Sequence, residues 1–478
     1  MVQQALRSLD LWVGGRPVPA ADGGRYLVVN PYTGRPVAEA ARAGETDARR
    51  AVDAAAAAFP VWSRLSGNDR ANILYRAYFG LRARAEELVE VLVAETGKAR
   101  QEAAKEIRST GAFLRFCAEE ARRIFGDVVP SPDPGKRVVV EKQPVGVVAA
   151  FTAVNAPGII FGRKVAPALA AGCTVVAKPA EEAPGLAVAL AEVLAEAGLP
   201  AGALNVVFGD APAVAAALIA DPRVRLVSFT GSAAVGRQIM RLAAENLKRV
   251  VLELGGVSPF IVFDDADLGA AARGLVAAKF RHAGQICGSP QRVFIQETVA
   301  DRFIPLLLAE VDRLRVGDPA LDDTSFGPVQ HGRNLEKVER FVADALAKGA
   351  VLLRGGRRLG GLTYAPTVLE GITGEMLLAR EEVFGPVLGL ERFREEDEAI
   401  RRANETPYGL VGYVYTRDLS RAFRVAEALE VGVVGINDPF PATVEGPFGG
   451  VKQSGFGLEG GRYGVEEFLV KKQLSFQL

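Results

Sequence analysis

The feature that most constrains the fold is a run of short β-branched segments that alternate with helical segments from about residue 145 onwards. The first of these segments read VGVVAAF, CTVVAKP, NVVFG, RLVSFTG and RVVLELG. Apolar runs of this length are typical of parallel strands that are buried on both faces. Because the segments alternate with helices, the pattern predicts βαβ units and a parallel sheet.

A second series of the same kind begins at about Pro259, with PFIVF, RVFIQ, TYAPTVL, VLGLERF and VGYVYT. Two α/β domains in tandem are therefore predicted, preceded by a strand-rich lead and a set of amphipathic helices. The stretch KRVVVEKQP alternates charged and apolar residues and predicts a projecting hairpin arm, and the segment FLVKKQLSFQL predicts another strand. Neither has an evident partner within one subunit, so we expect their edges to pair with a neighbouring subunit.

Composition excludes several classes of protein. The 478 residues are 49% hydrophobic and 24% charged, as in an ordinary globular chain, which excludes disordered, collagen-like and coiled-coil proteins. Lysine plus arginine equals aspartate plus glutamate at 57 each, so there is no basic field to hold a nucleic acid. Three cysteines are too few for a disulfide framework, and two histidines leave few ligands for a transition-metal site. We expect no metal and a reducing, cytoplasmic setting.

Two segments bear on membranes and export. The first fifteen residues lack the charged start and apolar run of a secretory signal. Twenty uncharged residues lie between Lys142 and Arg163, but prolines and glycines interrupt them. The interrupted stretch predicts a strand followed by a loop, and no membrane partner is expected.

Four local patterns could carry chemistry. Cys287 lies among small residues in GQICGS, where a thiol would be accessible, although a lone cysteine is more often a core residue. The segment FTGSAAVG joins a strand to a helix with small residues that would let a phosphate approach, although a plain strand-to-helix turn has the same composition. Glu253 ends a strand in VLELGG, where burial would make it a general base, and Glu382 lies in REEVFGPV. Each carboxylate could also be simply solvated.

The order of these motifs is more informative than any one of them. Together with Asn155 in FTAVNAP, Lys178 in AGCTVVAKPAE and the segment PFGGVKQSGFG, the chain resembles the NAD(P)-dependent aldehyde dehydrogenase superfamily from about Leu11 to Phe476. The segments AGCTVVAKPAEEAP and SGFGLEGGRYGVEEFL look most similar to its succinate-semialdehyde dehydrogenase branch.

The resemblance implies an α/β fold with two parallel-sheet domains and a β-arm for oligomerisation. The NAD(P)-binding domain would comprise residues 1–125 and 145–256, and the catalytic domain residues 257–452. Residues 126–144 and 465–478 would form the oligomerisation arm and C-terminal strand, giving a homodimer or homotetramer.

The resemblance also implies the chemistry. Cys287 matches the thiolate that attacks the aldehyde, and Asn155, with the backbone N–H of Cys287, matches the donors that hold the oxyanion. Glu253 matches the residue that activates water to hydrolyse the resulting thioester. A carboxylic acid is therefore the expected product, in preference to an acyl group passed to coenzyme A.

For the cofactor, NAD is favoured and NADP is also allowed. Lys178 and Glu181 match positions at the adenine-side ribose, where the Glu181 carboxylate would repel a 2′-phosphate. Ser232 matches a pyrophosphate contact, and Glu382 with Phe384 matches the nicotinamide side. The full set of cofactor-binding positions implied by the resemblance is Phe151, Thr152, Ala153, Lys178, Ala180, Glu181, Gly209, Phe229, Gly231, Ser232, Val235, Leu254, Glu382 and Phe384.

The substrate branch implies a grip on a distal carboxylate by two arginines and a hydroxyl. The matching residues are Arg163, Arg281 and Thr443, with Phe448 beside them, and arginine offers a planar fork suited to carboxylate. The alternative is that these arginines form ordinary salt bridges.

One segment departs from the family. The usual Pro-Trp-Asn-Phe-Pro is here Ala-Val-Asn-Ala-Pro, with Val154 and Ala156 in place of two bulky residues. A roomier pocket would admit a branched or aromatic aldehyde of the benzaldehyde type. A catalytically silent structural member of the family is a further alternative, against which the presence of Cys287, Asn155, Glu253 and Glu382 together argues.

Overall fold

The computed structural model describes residues 6–478. Its α-helices, numbered in chain order, are α1 (Glu45–Trp62), α2 (Gly67–Ala83), α3 (Ala85–Thr96), α4 (Arg100–Ala121), α5 (Pro157–Ala171), α6 (Gly185–Glu196), α7 (Ala211–Ala220), α8 (Ala233–Ala244), α9 (Leu268–Phe280), α10 (Glu297–Val311), α11 (Gly332–Ala347), α12 (Leu377–Arg380), α13 (Glu396–Asn404), α14 (Leu419–Ala428) and α15 (Gly461–Glu466). A 3₁₀ turn spans Arg281–Gly284.

The strands are β1 (Arg7–Leu9), β2 (Leu11–Val13), β3 (Arg16–Val18), β4 (Arg25–Val29), β5 (Pro36–Ala41), β6 (Asp127–Val129), β7 (Lys136–Pro144), β8 (Val147–Phe151), β9 (Thr174–Lys178), β10 (Leu204–Val206), β11 (Val224–Thr230), β12 (Arg249–Glu253), β13 (Pro259–Val262), β14 (Arg292–Gln296), β15 (Val351–Arg354), β16 (Arg358–Gly360), β17 (Thr363–Tyr364), β18 (Thr367–Glu370), β19 (Val387–Phe393), β20 (Tyr408–Gly409), β21 (Val411–Tyr415), β22 (Val433–Ile436), β23 (Val451–Lys452), β24 (Gly455–Phe456) and β25 (Leu469–Gln477).

The first large sheet has the strand order β24-β12-β11-β8-β9-β10-β2-β3, and its five central strands are parallel. The chain runs outward from β8 to β10 and then returns to place β11 on the other side of β8. Ligands of open α/β sheets bind beyond the carboxyl ends of the strands at such a reversal. The register aligns Phe151 with both Lys178 and Phe229 at this edge.

The second large sheet has the order β15-β18-β19-β14-β13-β21-β22, and all its strands except β15 are parallel. Each predicted strand segment of both series coincides with at least part of a strand, so the two predicted parallel sheets are confirmed. TYAPTVL is divided between β17 and β18. The assignment of the two units to cofactor binding and catalysis, with its residue boundaries, stays a prediction.

The arm differs from the expectation in one respect. Strand β25 pairs antiparallel with β7 over its whole length, from Leu469 opposite Pro144 to Gln477 opposite Lys136, and β6 pairs with the other edge of β7. The expectation that the arm and the terminal strand lack a partner within one subunit is therefore wrong. They satisfy each other's backbone groups, and the outer edges of β6 and β25 form the rims of the three-stranded sheet.

The uncharged segment before Arg163 also differs from the expectation. Strand β8 lies in it as predicted, but helix α5 begins at Pro157, where a loop was expected. Proline suits the first turn of a helix because the N–H that it lacks would have no intrahelical partner there. Among residues 6–478, no helix combines the length and the apolar character needed to cross a membrane.

After the second sheet the chain returns to the first. Strand β24 pairs antiparallel with β12, which places Gly455 opposite Glu253. Gly455 has a φ of +119°, and a Cβ atom there would lie 1.9 Å from the carbonyl oxygen of Leu252. Only glycine permits this approach, which brings the PFGGVKQSGFG segment against the end of β12.

Candidate active site

A cavity of about 210 Å³ is lined by residues from α4, α5, α9, the end of β12 and the loop after β22. It gathers six of the residues singled out in the sequence: Asn155, Arg163, Glu253, Arg281, Cys287 and Phe448. In contrast, Cys117 and Cys173 are buried in the core, as expected for structural cysteines. Among the described residues, no group of three or more potential metal ligands occurs.

Cys287 follows the 3₁₀ turn that ends helix α9. His282 and Ala283 in this turn have φ values of 45° and 54°, a region that costs energy for residues other than glycine. After the cysteine, the hydroxyl of Tyr413 donates to the carbonyl oxygen of Gly288 at 2.7 Å. The thiol is thus carried on a short loop that is held on both sides.

Glu253 ends strand β12 and is only 3% exposed. Its Oε1 atom has no hydrogen-bond partner. Burial, reinforced by the charge of Glu459, raises the pKa of the Glu253 carboxyl to about 7, although the neighbouring Cys287 thiol and the charges of Arg163 and Lys164 act in the opposite direction. A carboxyl group with this pKa can take up and release a proton near neutral pH.

A buried ion pair next to Glu253 was not foreseen from the sequence. Lys164 on α5 contacts Glu459 at 2.5 Å, and their side chains are 0% and 4% exposed. Lys164 also donates to the Ser228 hydroxyl at 3.0 Å. The signal in the sequence was Lys164 in GIIFGRKVAPALAA, a segment that is apolar apart from Arg163 and Lys164. A charged side chain on a helix that is buried on all sides needs a partner of opposite charge.

Asn155 precedes α5 and is 6% exposed. Its side-chain Nδ2 donates to the carbonyl oxygen of Gln285, two residues before Cys287, at 3.0 Å. The backbone carbonyl of Asn155 accepts from the Nζ atom of Lys98 at 2.8 Å. Since the side-chain amide carries two N–H donors, the second can donate to another acceptor.

Two guanidinium groups face the cavity from different elements. Arg163 on α5 lies over the ring of Phe448 at 4.2 Å, and Arg281 lies over the ring of Phe440 at 5.0 Å. The Nε atoms of both arginines are buried and have no hydrogen-bond partner. Arg281 Nε is 3.8 Å from the carboxylate of Glu102.

The structure does not bring Thr443 into this cavity. Thr443 is exposed, and its hydroxyl accepts a hydrogen bond from the backbone N–H of Gly446 at 3.2 Å. The preceding residue, Ala442, lines the cavity instead. The local turn thus keeps the Thr443 hydroxyl outside the cavity. The sequence had predicted that this hydroxyl contacts the substrate.

The residues implied for the cofactor lie at or just beyond the carboxyl ends of β8 to β12, or against β12 from the second unit. They are Phe151, Thr152 and Ala153 after β8, Lys178, Ala180 and Glu181 after β9, Gly209 after β10, Phe229, Gly231, Ser232 and Val235 at the β11–α8 junction, Leu254 after β12, and Glu382 and Phe384 before β19.

Several polar groups at this edge of the sheet, including Thr230 at the end of β11, could contact a ligand. The buried hydroxyls of Thr152 and Thr230 have no hydrogen-bond partner. Lys178 Nζ contacts Glu181 Oε1 at 2.5 Å, which leaves an ion pair at the edge of the sheet. The Ser232 hydroxyl accepts from the N–H of Val235 at 3.3 Å and caps helix α8. Unpartnered hydroxyls and a helix N-terminus together fit a nucleotide phosphate and ribose.

Glu382 lies against the glycine pair that follows β12. A Cβ atom on Gly255 would lie 2.5 Å from Glu382 Oε2, and the N–H of Gly256 is 3.5 Å from Glu382 Oε1. Burial raises the pKa of Glu382 to about 7, against the opposing charges of Lys337 and Lys279. Two buried carboxyl groups therefore lie at the motif LELGG: Glu253 belongs to it, and Glu382 packs against its two glycines.

Residues 18–474 match the sequence model of the aldehyde dehydrogenase family. It is 45% identical to a mitochondrial succinate-semialdehyde dehydrogenase of Arabidopsis thaliana, an alignment that covers 98% of this chain and 90% of that protein. It is 44% identical to the NADP(+) succinate-semialdehyde dehydrogenase GabD of Escherichia coli, over 100% of this chain and 98% of that protein. A crystal structure of succinate-semialdehyde dehydrogenase from Burkholderia pseudomallei superposes with a TM-score of 0.98, at 44% identity and with 100% of both chains covered.

Proposed function

This chain belongs to the aldehyde dehydrogenase family, and from that premise we propose that it oxidises a short aldehyde with a distal carboxylate, such as succinic semialdehyde, to the acid. The observation that carries the proposal is the pair of guanidinium groups, Arg163 and Arg281, whose buried Nε atoms lack hydrogen-bond partners in the cavity that also holds Cys287. The planar fork of a guanidinium matches the geometry of a carboxylate. The succinate-semialdehyde enzymes to which the chain is similar support the same substrate.

The first step is attack of the Cys287 sulfur on the aldehyde carbon. The new carbon–sulfur bond forms as the thiol proton passes to the Glu253 carboxylate, which lies beside it. The carbonyl oxygen becomes an oxyanion, and the second N–H of the Asn155 side chain, beside the one that donates to Gln285, would donate to it. A donor fixed before the charge develops stabilises the transition state more than the substrate.

The cofactor would be held at the carboxyl edge of the first sheet. Lys178 and Glu181 would contact the ribose, Ser232 the pyrophosphate, and Glu382 the nicotinamide side. When bound, NAD or NADP supplies the hydride acceptor that converts the thiohemiacetal on Cys287 to a thioester. The Glu181 carboxylate would repel a 2′-phosphate, so NAD is the preferred cofactor and NADP the weaker one.

The last step is hydrolysis of the thioester. Glu253 first releases to solvent the proton that it took from Cys287, and its carboxylate then accepts a proton from water. The water oxygen bonds to the acyl carbon, and the carbon–sulfur bond breaks to release the thiolate of Cys287, which takes up the proton from Glu253 and restores both groups. The pKa of about 7 suits Glu253 to this role near neutral pH. A base at this position supports release of a free acid rather than transfer to coenzyme A.

A second candidate substrate is a bulkier or aromatic aldehyde. Ala156, at a position where the family usually has a bulky residue, lines the cavity together with Ile159, Phe440 and Phe448. An apolar wall of this kind would favour an uncharged ring over a carboxylate. In that case Arg163 and Arg281 would serve only their stacking contacts with phenylalanine rings.

We also propose that the chain forms a homodimer or homotetramer through its arm. The outer strands β6 and β25 carry exposed apolar side chains, among them Val128 and Phe476. Unpaired strand edges with apolar side chains favour association. Size-exclusion chromatography with light scattering, compared between the full chain and Phe476→Lys, tests the role of the arm.

A reducing, cytoplasmic setting would suit the three free cysteines and a thiol nucleophile.

The substrate is tested by initial rates of NADH formation with succinic semialdehyde, glutaric semialdehyde, benzaldehyde and hexanal. We expect the semialdehydes to exceed hexanal by about tenfold or more in kcat/KM, and Arg163→Gln and Arg281→Gln to remove that preference. Arg394→Gln, at an exposed arginine that pairs with Glu297, is the matched control. Higher kcat/KM for benzaldehyde, unchanged in the arginine variants, would favour the second candidate.

A further inference from the structure

A buried ion pair lies directly behind Asn155. Lys98, which follows helix α3, contacts Glu106 on helix α4, and the two side chains are 5% and 2% exposed. The same Lys98 Nζ atom donates to the backbone carbonyl oxygen of Asn155 at 2.8 Å. Both Lys98 and Glu106 also line the cavity that contains Cys287.

Glu106 connects this pair to the helix that follows Asn155. Its Oε1 atom accepts a hydrogen bond from the N–H of Gly158, in the first turn of α5, at 2.7 Å. A Cβ atom on Gly158 would lie 2.6 Å from Thr110 Oγ1 and 3.2 Å from Glu106 Oε1, so the backbone of α5 is docked closely on α4. The ion pair therefore fixes the chain on both sides of the Asn155–Gly158 turn.

Asn155 is consequently held at two points. Lys98 holds its backbone carbonyl, and the carbonyl oxygen of Gln285 accepts from its side-chain Nδ2 at 3.0 Å. Gln285 is itself anchored, because its Oε1 accepts from the N–H of Gln330 at 2.8 Å. With one amide hydrogen committed to Gln285, the direction of the other is set by the position of the Asn155 backbone.

A buried ion pair is not an efficient way to gain stability, since desolvation of two charges offsets most of their attraction. Hydrophobic residues of the same size would fill the space behind Asn155 equally well. What they could not supply is a donor for the Asn155 carbonyl. This points to a role in the geometry of the site.

We propose that Lys98 is a positioning residue for Asn155: its ammonium, neutralised by Glu106, fixes the Asn155 backbone so that the free side-chain N–H is directed at the oxygen of a substrate bound to Cys287. The inference rests on the oxyanion-binding role proposed above for Asn155. It assigns no contact between Lys98 and the substrate.

The test is a double-mutant cycle on the rate of aldehyde oxidation, expressed per reactive Cys287 thiol titrated with iodoacetamide. We expect Lys98→Met to lower kcat by about 10- to 100-fold, as misplacement of an oxyanion donor does, with the alkylation rate of Cys287 changed less than about threefold. Lys98→Met/Asn155→Ala should then be no slower than Asn155→Ala alone. Effects that multiply would overturn the proposal, because Lys98 would then act independently of Asn155.

Two further variants keep the result decisive. If Lys98→Met leaves Glu106 unpaired and the protein cannot be purified, Lys98→Met/Glu106→Gln removes both charges and replaces Lys98→Met in the cycle. Arg292→Met/Glu391→Gln removes a buried ion pair of similar exposure between β14 and β19, and should reduce stability without changing kcat. An equal loss of kcat in this control would overturn the positioning role.

The outcome for Asn155→Ala alone separates the two proposals. If Asn155→Ala oxidises aldehydes at the rate of the unmodified enzyme, the oxyanion-binding role of Asn155 is wrong, and the inference about Lys98 falls with it. If Asn155→Ala is slow but the Lys98 effect multiplies with it, only the inference about Lys98 is wrong.

Discussion

Cys287 and Glu253 line the same cavity, close enough for the carboxylate to act on the thiol. Burial, followed by the charge of the Glu253 carboxylate, holds the pKa of the Cys287 thiol well above its ordinary range. Burial and Glu459 raise the pKa of Glu253 to about 7, so both groups disfavour their charged forms. The raised pKa favours the protonated thiol of Cys287 over its thiolate.

This interaction predicts that Glu253→Gln lowers the pKa of the Cys287 thiol, because the neighbouring negative charge is removed. The midpoint of the pH profile for alkylation of Cys287 by iodoacetamide should move to lower pH. Glu445→Gln, at an exposed glutamate of the loop after β22, is the control and should leave the midpoint in place. A midpoint that stays or rises in Glu253→Gln would contradict the interaction.

Glu253→Gln should also slow hydrolysis of the thioester, so that an acyl group accumulates on Cys287. Mass spectrometry of the protein after mixing with aldehyde and NAD would detect it. In the unmodified enzyme the base must be a carboxylate, so the hydrolysis rate should fall as pH decreases through about 7, the pKa of Glu253. A steady-state rate equal to that of the unmodified enzyme would remove Glu253 from this role.

Cofactor choice should respond to Glu181. Lys178 contacts the Glu181 carboxylate at 2.5 Å in the unmodified protein. Glu181→Ser removes this carboxylate, so that the Lys178 ammonium can bind a 2′-phosphate. The ratio of kcat/KM for NADP to that for NAD should rise by about tenfold or more. Glu182→Ser is the matched control, since the next carboxylate contacts His331 at 3.0 Å instead, and it should leave the ratio unchanged.

Glu102 should limit the affinity for a carboxylate substrate. Its carboxylate contacts Lys105 at 2.6 Å and lies 3.8 Å from Arg281 Nε, so it competes with the substrate for the same guanidinium. Glu102→Gln should lower KM for succinic semialdehyde by about three- to tenfold and leave KM for hexanal unchanged, since an exposed charge pair contributes about 0.2–1 kcal/mol and a partly buried one more. Glu119→Gln, further along α4, should change neither KM. Equal changes for both aldehydes would show that Glu102 acts on the shape of the cavity.

The Lys164–Glu459 pair predicts a large effect on stability. Lys164→Met leaves the buried carboxylate of Glu459 without its partner, which should lower the free energy of unfolding by about 3–5 kcal/mol. Urea denaturation followed by circular dichroism measures this loss. Arg49→Met, which breaks an exposed pair with Glu45, should change it by less than about 0.5 kcal/mol. A small loss for Lys164→Met would contradict a stabilising role for the pair.

The sequence predicted the two sheets because short, largely apolar β-branched runs alternate with helical segments, a pattern typical of buried parallel strands. It did not predict that β25 pairs with β7, because pairing between distant strands depends on register and not on local composition. It also missed the helix start at Pro157, because a proline was interpreted as an interruption.

The site shows the same division. Cys287, Glu253 and Asn155 were placed in one site through their motifs, and the structure brings them to one cavity. Lys98 and Lys164 were missed, because a single lysine near or within a helix is usually a surface residue and only tertiary packing buries it. Thr443 was expected in the cavity, but the direction of a hydroxyl depends on a local turn that composition does not reveal.

The pairing of β25 with β7 orders the assembly of this protein in time. Residues 469–477 are translated after every other described strand, yet β7 has no other partner that covers its full length. On the ribosome, β7 therefore waits with an open edge while the two sheets and their cavity are being synthesised. A chain that stalls before residue 469 would carry Cys287 and both arginines but expose an unpaired strand edge, which invites pairing with another chain.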